Sequence, residues 1–169
     1  MTRTARAWTG AALAALAIST SLALPTMANA APVTCYGDYC SGADPTESGC
    51  AADAYTTVFE ETEVGRLDVR WSPTCKTNWV RWVKYDRGIM MSMIPLEMAA
   101  VQDTGYTQSF SFGVNGDSDR DHPDYNTWVT PMIYSPVHKV QGQMTFQCTG
   151  VGDCLIYGAL EGPMKTAWS

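Results

Sequence analysis

The sequence predicts an all-β fold, a small sandwich or open barrel that is mostly antiparallel and cross-linked by disulfides. Three observations indicate this class. Short apolar runs alternate with polar residues at the period of a strand, turn residues separate these runs about every 8–12 residues, and six cysteines follow an export-type leader. This spacing predicts about seven or eight strands in a sandwich or barrel.

Residues 1–30 have the pattern of a secretory signal peptide. Arg3 and Arg6 precede an apolar run of about 14 residues, which is too short to span a membrane, and small residues end the segment at Ala30. We therefore expect cleavage after Ala30 and a secreted, extracellular protein without membrane insertion. Residues 31–169 are expected to form a single disulfide-bonded β domain.

The chain beyond this leader is acidic. The whole sequence has 11 basic and 17 acidic residues and a formal charge of −6, and two of the basic residues lie in the leader. An acidic protein repels phosphate backbones and anionic membranes. Nucleic acid is therefore not an expected partner, whereas other secreted proteins and a cell-wall or surface glycan remain possible partners.

All six cysteines lie beyond the leader, and an even number in an exported chain predicts three disulfides. The sequence alone leaves their pairing open. We expect the pairs Cys35–Cys40, Cys50–Cys75 and Cys148–Cys154. A zinc site is disfavoured because no C-x-x-C pair exists and both histidines, His122 and His138, lie far from the cysteines in sequence. No cofactor is expected.

The segment 31–54 is expected to be a loop-rich cysteine segment that packs on the β domain. Its stretch CYGDYCSGADPTESGC is dense in Gly, Ser, Asp and Pro and has no apolar period. The composition changes at Tyr55, where short runs of strand-forming residues begin.

The first two runs, TTVFEE and RLDVRW, predict a hairpin. They flank a turn around Gly65, and the apolar residues of RLDVRW alternate with charged ones as in a half-buried strand. On this pairing, Glu60 or Glu61 is expected to lie opposite Arg70 as a cross-strand ion pair.

The next run, NWVRWVKY, places Trp79 and Trp82 on opposite faces of a regular strand. One of the two is therefore expected to be only half covered. Together with Trp71 they form a candidate aromatic platform for a sugar or a protein partner. Packing in the core is the alternative for each of them.

Further strands are expected in QSFSFGV, WVTPMIY, KVQGQMTFQC and CLIYGAL, and a short helical turn is expected in PLEMAAVQ, begun by Pro95. Four methionines lie close together in the sequence and are candidates for an adaptable binding surface or for core filling: Met90, Met91, Met93 and Met98.

No catalytic constellation is recognisable. The chain has neither G-x-S-x-G nor H-E-x-x-H, its cysteines are assigned to disulfides, and its acids are scattered over turns and strand faces. We therefore expect a protein that is not an enzyme.

An acidic loop gives a weak calcium candidate. Asp117, Asp119 and Asp121 have the alternating spacing that can converge oxygens on calcium, but His122 and Trp128 stand where a calcium loop needs glycine and a bidentate acid. A solvated loop is the favoured interpretation, and no bound metal is expected.

Three blocks carry a family resemblance: CYGDYCSGADPTESGCAADAYTT, GRLDVRWSPTCKTNWVRW and TPMIY. From Cys35 to Tyr134, the chain resembles the YjfA-like family of small secreted actinobacterial proteins of unknown function. The resemblance implies a disulfide-bearing β fold and an extracellular setting. It brings no catalytic residue with it.

The stretch TPMIYSPV is also similar to the reactive loop of streptomycete subtilisin inhibitors. By that resemblance, Met132 would fill the specificity pocket of a serine protease and Ile133 would follow the scissile bond. Thr130 departs from the pattern, because the inhibitors have a cysteine there that clamps the loop. An outer strand with prolines at its edges is the preferred interpretation. The candidate contact residues of this stretch are Pro131, Met132, Ile133 and Tyr134.

These observations favour a non-enzymatic secreted binding module, which we expect to be an adaptor or accessory subunit of an extracellular protein assembly such as an antibacterial toxin particle. The mature N-terminus, Ala31, Pro32 and Val33, is expected to extend into a partner's cleft. The alternatives are a secreted serine protease inhibitor presenting the Thr130–Val137 loop and a glycan- or cell-wall-acting protein.

Overall fold

Two antiparallel β-sheets enclose one apolar core, which confirms the predicted all-β sandwich. The computed structural model describes residues 32–85, 94–111, 126–147 and 163–169. No helix within those ranges is long and apolar enough to cross a membrane. The predicted leader, the segment with Met90, Met91 and Met93, the three aspartates of the acidic loop and the CLIYGAL run lie outside the described residues.

Each sheet is a short antiparallel array. The first has the order β1-β2-β3-β6, with β7 also paired to β3, and its strands are β1 (Tyr55–Glu61), β2 (Gly65–Ser72), β3 (Thr77–Lys84), β6 (Thr127–Val129) and β7 (Ile133–Tyr134). The second has the order β5-β4-β8-β9, and its strands are β4 (Ile94–Gln102), β5 (Thr107–Ser111), β8 (Val140–Gln147) and β9 (Met164–Lys165). Two short 3₁₀ helices, Gly37–Cys40 and Cys50–Asp53, precede β1.

The core forms where the inner faces of the two sheets meet. Leu67 of β2 lies directly opposite Trp82 of β3, and both side chains are fully buried. Trp82 contacts Phe146 of β8 edge-to-face, with ring centroids 5.2 Å apart. The period-2 alternation predicted for RLDVRW is confirmed, because Leu67 and Val69 face this core.

The cysteine-rich segment covers half of the outer face of the first sheet. Trp79 points to that outer face, yet it is only 2% exposed because it packs with Cys40, Cys50, Cys75 and Met132. The expectation that Trp79 or Trp82 would be half covered is therefore wrong. A third layer, contributed by residues before β1, buries the second tryptophan.

Two of the expected disulfides are confirmed. Cys35 is bonded to Cys40, and Cys50 is bonded to Cys75. The second bond joins the 3₁₀ helix before β1 to the turn between β2 and β3. The expected Cys148–Cys154 bond lies outside the described residues.

The PLEMAAVQ run is a strand, not the expected helical turn. It forms most of β4, in which Met98 and Ala100 are fully buried and alternate with less buried neighbours. Pro95 is tolerated because the described part of β5 pairs with β4 from Glu97 onward, and the ladder with β8 is irregular between Pro95 and Glu97. Period-2 packing between two sheets overrides the helix-start signal of the proline.

The register of the first hairpin also differs from the expected one. Arg70 lies opposite Thr56, whereas Glu60 and Glu61 lie opposite Leu67 and Arg66. The predicted ion pair with Arg70 is therefore wrong, because the turn around Gly65 is tight and sets the glutamates against the start of β2.

Gly65 is required where the chain enters β2. A Cβ atom on Gly65 would lie 2.5 Å from Trp82 Cζ2 and 2.5 Å from the carbonyl oxygen of Val83. Gly65→Ala is expected to lower the free energy of unfolding by about 1–3 kcal/mol, since the Trp82 ring and the β3 backbone are both held in the sheet. Urea denaturation checks this against Glu63→Ala, an exposed neighbour that should be near neutral. Equal midpoints for the two variants would contradict it.

Asp53 fastens the cysteine-rich segment to the β2–β3 turn. Its carboxylate accepts a hydrogen bond from Ser72 Oγ at 2.6 Å and another from the Thr74 N–H at 2.9 Å. Burial pushes the pKa of Asp53 upward, but these hydrogen bonds outweigh burial and hold the pKa below its ordinary value.

Asp53→Asn is expected to destabilise the protein by about 1 kcal/mol at neutral pH. A depressed folded-state pKa stabilises the fold above the unfolded-state pKa, and that contribution disappears as the pH falls through the folded-state value. The difference from wild type should therefore shrink once the pH drops below about 3.9. Urea midpoints over a pH series measure it, with the exposed Glu47→Gln as control. A difference that does not vary with pH would refute the role given to the carboxylate.

Candidate functional site

The outer edge of β1 is unpaired within the part of the chain that the structure describes. β1 is first in its sheet, and among the described residues it pairs only with β2. Its seven residues, YTTVFEE, include no proline or lysine. An edge strand presents unpaired backbone N–H and C=O groups, which can accept a further strand. We call this strand and the adjoining outer face of β2 and β3 the edge surface.

Two exposed aromatic side chains flank this edge. Tyr55 is 52% exposed and Phe59 is 54% exposed. Tyr55 lies opposite Trp71 and Phe59 lies opposite Asp68, so the two rings project from opposite faces of the sheet. The register shift between Thr56 and Val58 changes the alternation and makes this arrangement possible. A strand docking on β1 would therefore meet one aromatic ring on each side.

A buried carboxylate organises the outer face beside Phe59. The Asp68 side chain has no solvent exposure, and it accepts hydrogen bonds from Arg66 Nε at 2.7 Å and Arg81 Nε at 2.9 Å. Arg81 Nη2 donates to the same carboxylate. The hydrogen bond to Asp68 raises the pKa of Arg66. The carboxylate is thus fully occupied by two guanidinium groups.

Arg70 adds a third guanidinium group to this face. It donates to Thr56 Oγ1 at 2.9 Å and to the Ala54 carbonyl at 2.5 Å, both uncharged acceptors. Burial, followed by the like charge of Arg81, lowers the pKa of Arg70. Arg70 therefore brings positive charge to the surface while tying β2 to the start of β1.

The outer face of β2 and β3 carries an excess of positive charge on an otherwise acidic chain. Three of the 11 basic residues lie together on the outer face of β2 and β3, namely Arg66, Arg70 and Arg81. The neighbouring acidic groups are the carboxylates of Asp68 on β2 and Glu61 on β1. Glu61 already accepts a hydrogen bond of 2.6 Å from Tyr85 Oη, which raises the pKa of Tyr85. The Arg66 and Arg81 side chains keep 35% and 26% of their surface exposed. These two guanidinium groups can therefore also meet a carboxylate supplied from outside.

Arg66 also contacts the exposed ring of Phe59. Its Cζ atom lies 5.4 Å from the ring centroid, within the range of a cation–π interaction. The contact holds an apolar ring and a cation side by side at the edge of the sheet. Such a pair favours a partner segment that combines an apolar side chain with an acidic one.

The predicted tryptophan platform is not formed. Trp79 and Trp82 are buried on opposite faces of β3, and Trp71 is only partly buried. The structure therefore corrects the expectation for Trp79 and Trp82, because neither ring can reach a ligand.

The TPMIYSPV stretch is clamped, which contradicts its interpretation as a presented loop. Met132 is fully buried, its N–H donates to the Ala43 carbonyl at 2.9 Å, and its carbonyl accepts from the Gly42 N–H at 2.8 Å. Ile133 is fully buried in the main core. Thr130, at the position of the inhibitors' cysteine, exchanges backbone and hydroxyl hydrogen bonds with Val80. Met132 and Ile133 are therefore core residues, and Pro131 and Tyr134 are partly buried.

Other predicted contact residues are placed as follows. Pro32 is exposed and Val33 is 43% exposed. The next residue is fixed by a backbone hydrogen bond, in which the Thr34 N–H donates to the Ser48 carbonyl at 3.0 Å. Met98 is buried in the core. The predicted residues outside the described ranges are Ala31, Met90, Met91, Met93, Asp117, Asp119 and Asp121.

Reasoning from sequence missed the edge surface, although a signal for it was present. Arg66, Asp68 and Arg70 alternate with the apolar residues of β2, so they must share the face opposite the core. Arg81 joins them only through the register of β2 with β3, where it lies opposite Asp68. That register could not be read from the residues alone.

Removal of the Asp68 carboxylate is expected to be the most destabilising single change on this face, because it leaves two cations without their counter-ion. Asp68→Asn leaves Arg66 and Arg81 without their counter-ion, and it should lower the free energy of unfolding by about 2–3 kcal/mol. That is below the roughly 3–5 kcal/mol of a fully buried pair, because both arginines reach solvent. Denaturant unfolding measures the loss, with Glu60→Gln on the same hairpin as an exposed control. If the two variants unfold together, the face does not depend on this carboxylate.

Comparison with known proteins identifies the family but brings no activity. No curated protein and no solved structure matches the chain significantly. One family model matches residues 38–141, more than half of the 169-residue chain, and the matched part includes the whole edge surface. The chain therefore belongs to the family described as Protein of unknown function (DUF2690).

Proposed function

We propose that this protein is a non-enzymatic extracellular binding module that takes an extended, acidic segment of a partner protein as an additional strand along β1. In this role it serves as an adaptor or accessory subunit of an extracellular assembly, of which an antibacterial toxin particle is one example. The observation that carries the proposal is the open edge of β1, flanked by Tyr55 and Phe59.

Strand addition matches the chemistry of this surface. Main-chain hydrogen bonds to β1 supply affinity that does not depend on the partner's sequence. The exposed rings of Tyr55 and Phe59 supply apolar contact on both faces of the added strand. Arg66 and Arg81 favour a carboxylate beside Phe59 and steer an acidic segment to this side of an acidic protein.

The edge also limits unwanted pairing. The irregularity between Thr56 and Val58 twists the start of β1, and Glu60 and Glu61 place negative charge at its end. Indiscriminate strand addition is discouraged by both features. The central part of the strand, Val58 and Phe59, is left for a partner of matching shape and charge.

The extracellular setting rests on the leader pattern and on the disulfides. Cys35–Cys40 and Cys50–Cys75 form in oxidising compartments and are rare in the cytosol. The resemblance to the YjfA-like proteins supports the same setting. Serine protease inhibition through Thr130–Val137 is not favoured, since Met132 is buried.

Site-specific photocrosslinking tests the proposal. Phe59 and, separately, Tyr55 are replaced by benzoylphenylalanine, and the protein is irradiated in the culture fluid of its native host. The expected result is one covalent adduct with the same partner from both positions. Tyr106, which is 48% exposed at the turn between β4 and β5 of the other sheet, is the matched control position and should give none.

Three outcomes count against the proposal. These are the absence of adducts at positions 55 and 59, adducts at position 106 that are equally strong, and adducts that contain only a second copy of this chain. A double substitution on the edge surface adds a quantitative check. Phe59→Ala together with Arg66→Ala should lower the yield of adduct at position 55 by about tenfold, which corresponds to about 1.4 kcal/mol.

A further inference from the structure

Folding brings four cysteines of distant sequence positions into one cluster. The sulfur atoms of Cys35, Cys40, Cys50 and Cys75 all lie within 4.8 Å of one another. The two disulfides are in contact, because Cys35 Sγ and Cys50 Sγ are 3.7 Å apart across them. Two disulfides can form without lying next to each other. Here they do lie together, and four potential metal ligands therefore meet at one point.

The spacing fits a tetrahedral metal centre. Zinc binds thiolate sulfur at about 2.3 Å, and a tetrahedron with that bond length has sulfur atoms about 3.8 Å apart. The distance of 3.7 Å between Cys35 and Cys50 already has this value. The bonded sulfurs would separate by roughly 2 Å and the wider pairs would close by at most about 1 Å, which rotation of the cysteine side chains can supply.

The backbone around the cluster is held independently of the sulfur atoms. The Cys75 N–H donates to Ser72 Oγ at 3.1 Å, and the Cys75 carbonyl accepts from the Gly37 N–H at 3.1 Å. Asp53 bonds to Ser72 and Thr74 beside it. Opening the disulfides therefore leaves several hydrogen bonds that keep the four cysteines together.

The surroundings suit a soft metal ion. Cys40, Cys50 and Cys75 are fully buried against Trp79, and only Cys35 is partly exposed. Thiolate ligands in a shielded pocket select zinc over magnesium or calcium. A reductant can reach the cluster at the partly exposed Cys35, and the metal ion can then enter by the same route.

We infer that Cys35, Cys40, Cys50 and Cys75 form one redox-dependent metal site, which is closed as two disulfides when oxidised and binds one zinc ion through four thiolates when reduced. A phosphine supplies two electrons to each disulfide. For each disulfide, the phosphine takes up the oxygen of one water molecule and becomes a phosphine oxide. The two hydrogens of that water protonate the two cysteine sulfurs. Zinc then displaces the four thiol protons into solvent.

The test uses the full mature chain, reduced by a phosphine without oxygen and titrated with Co²⁺ and then with Zn²⁺. The expected result is uptake of one Co²⁺ per chain with the intense visible absorption of tetrahedral cobalt thiolate, bleached by one equivalent of Zn²⁺. The oxidised protein should take up neither ion. Zn²⁺ should also raise the melting temperature of the reduced protein, since binding is coupled to folding.

Single variants assign the ligands. Cys35→Ser and Cys50→Ser should each weaken zinc binding by more than the roughly 100-fold that loss of an outer hydrogen-bond partner costs. The variant Cys148→Ser with Cys154→Ser should bind as tightly as wild type. Uptake that survives Cys50→Ser, uptake that is lost only in the Cys148/Cys154 variant, or reduced wild-type protein that neither binds Co²⁺ nor gains thermal stability from Zn²⁺ would overturn the inference.

Discussion

The burial of Trp79 beneath the disulfide-linked segment determines how the first sheet is used. A two-layer sandwich would leave this ring in water on the outer face of β3. Cys40, Cys50, Cys75 and Met132 cover it instead, so half of that face becomes a second small core. The other half, toward β1, is not covered by any of the described residues and carries the charged and aromatic groups of the edge surface. The covered half anchors the sheet, and the other half is the surface proposed above for binding.

The two halves are stabilised by different forces. Apolar burial and two covalent cross-links stabilise the covered half. In the open half, a fully buried Asp68 is neutralised by two partly exposed arginines. Such a cluster contributes little net stability compared with apolar packing, but it fixes the positions of charged groups. Its positioned charge is better suited to recognition than to holding the sheets together.

Much of the fold could be predicted, and the failures have identifiable physical causes. Alternation in RLDVRW and NWVRWVKY predicted β2 and β3, because a period of two is a local property of the chain. The burial of Trp79 and Met132 could not be predicted, since it depends on where residues before β1 fold back. The pairing of Arg81 with Asp68 depends on strand register, which tight turns and irregular ladders set. The edge surface is non-local in this sense, and it was missed for that reason.

The position of the Cys50–Cys75 bond has a mechanical consequence for the proposed binding of a partner along β1. Residue 50 lies just before that strand, and residue 75 lies in the turn that joins β2 to β3. Tension applied along β1 therefore passes through a covalent link into the central hairpin of the sheet. The edge strand is loaded in shear against β2, so several ladder hydrogen bonds share the force and do not open one after another. A strand anchored in this way can carry load between two larger bodies without peeling from its own sheet.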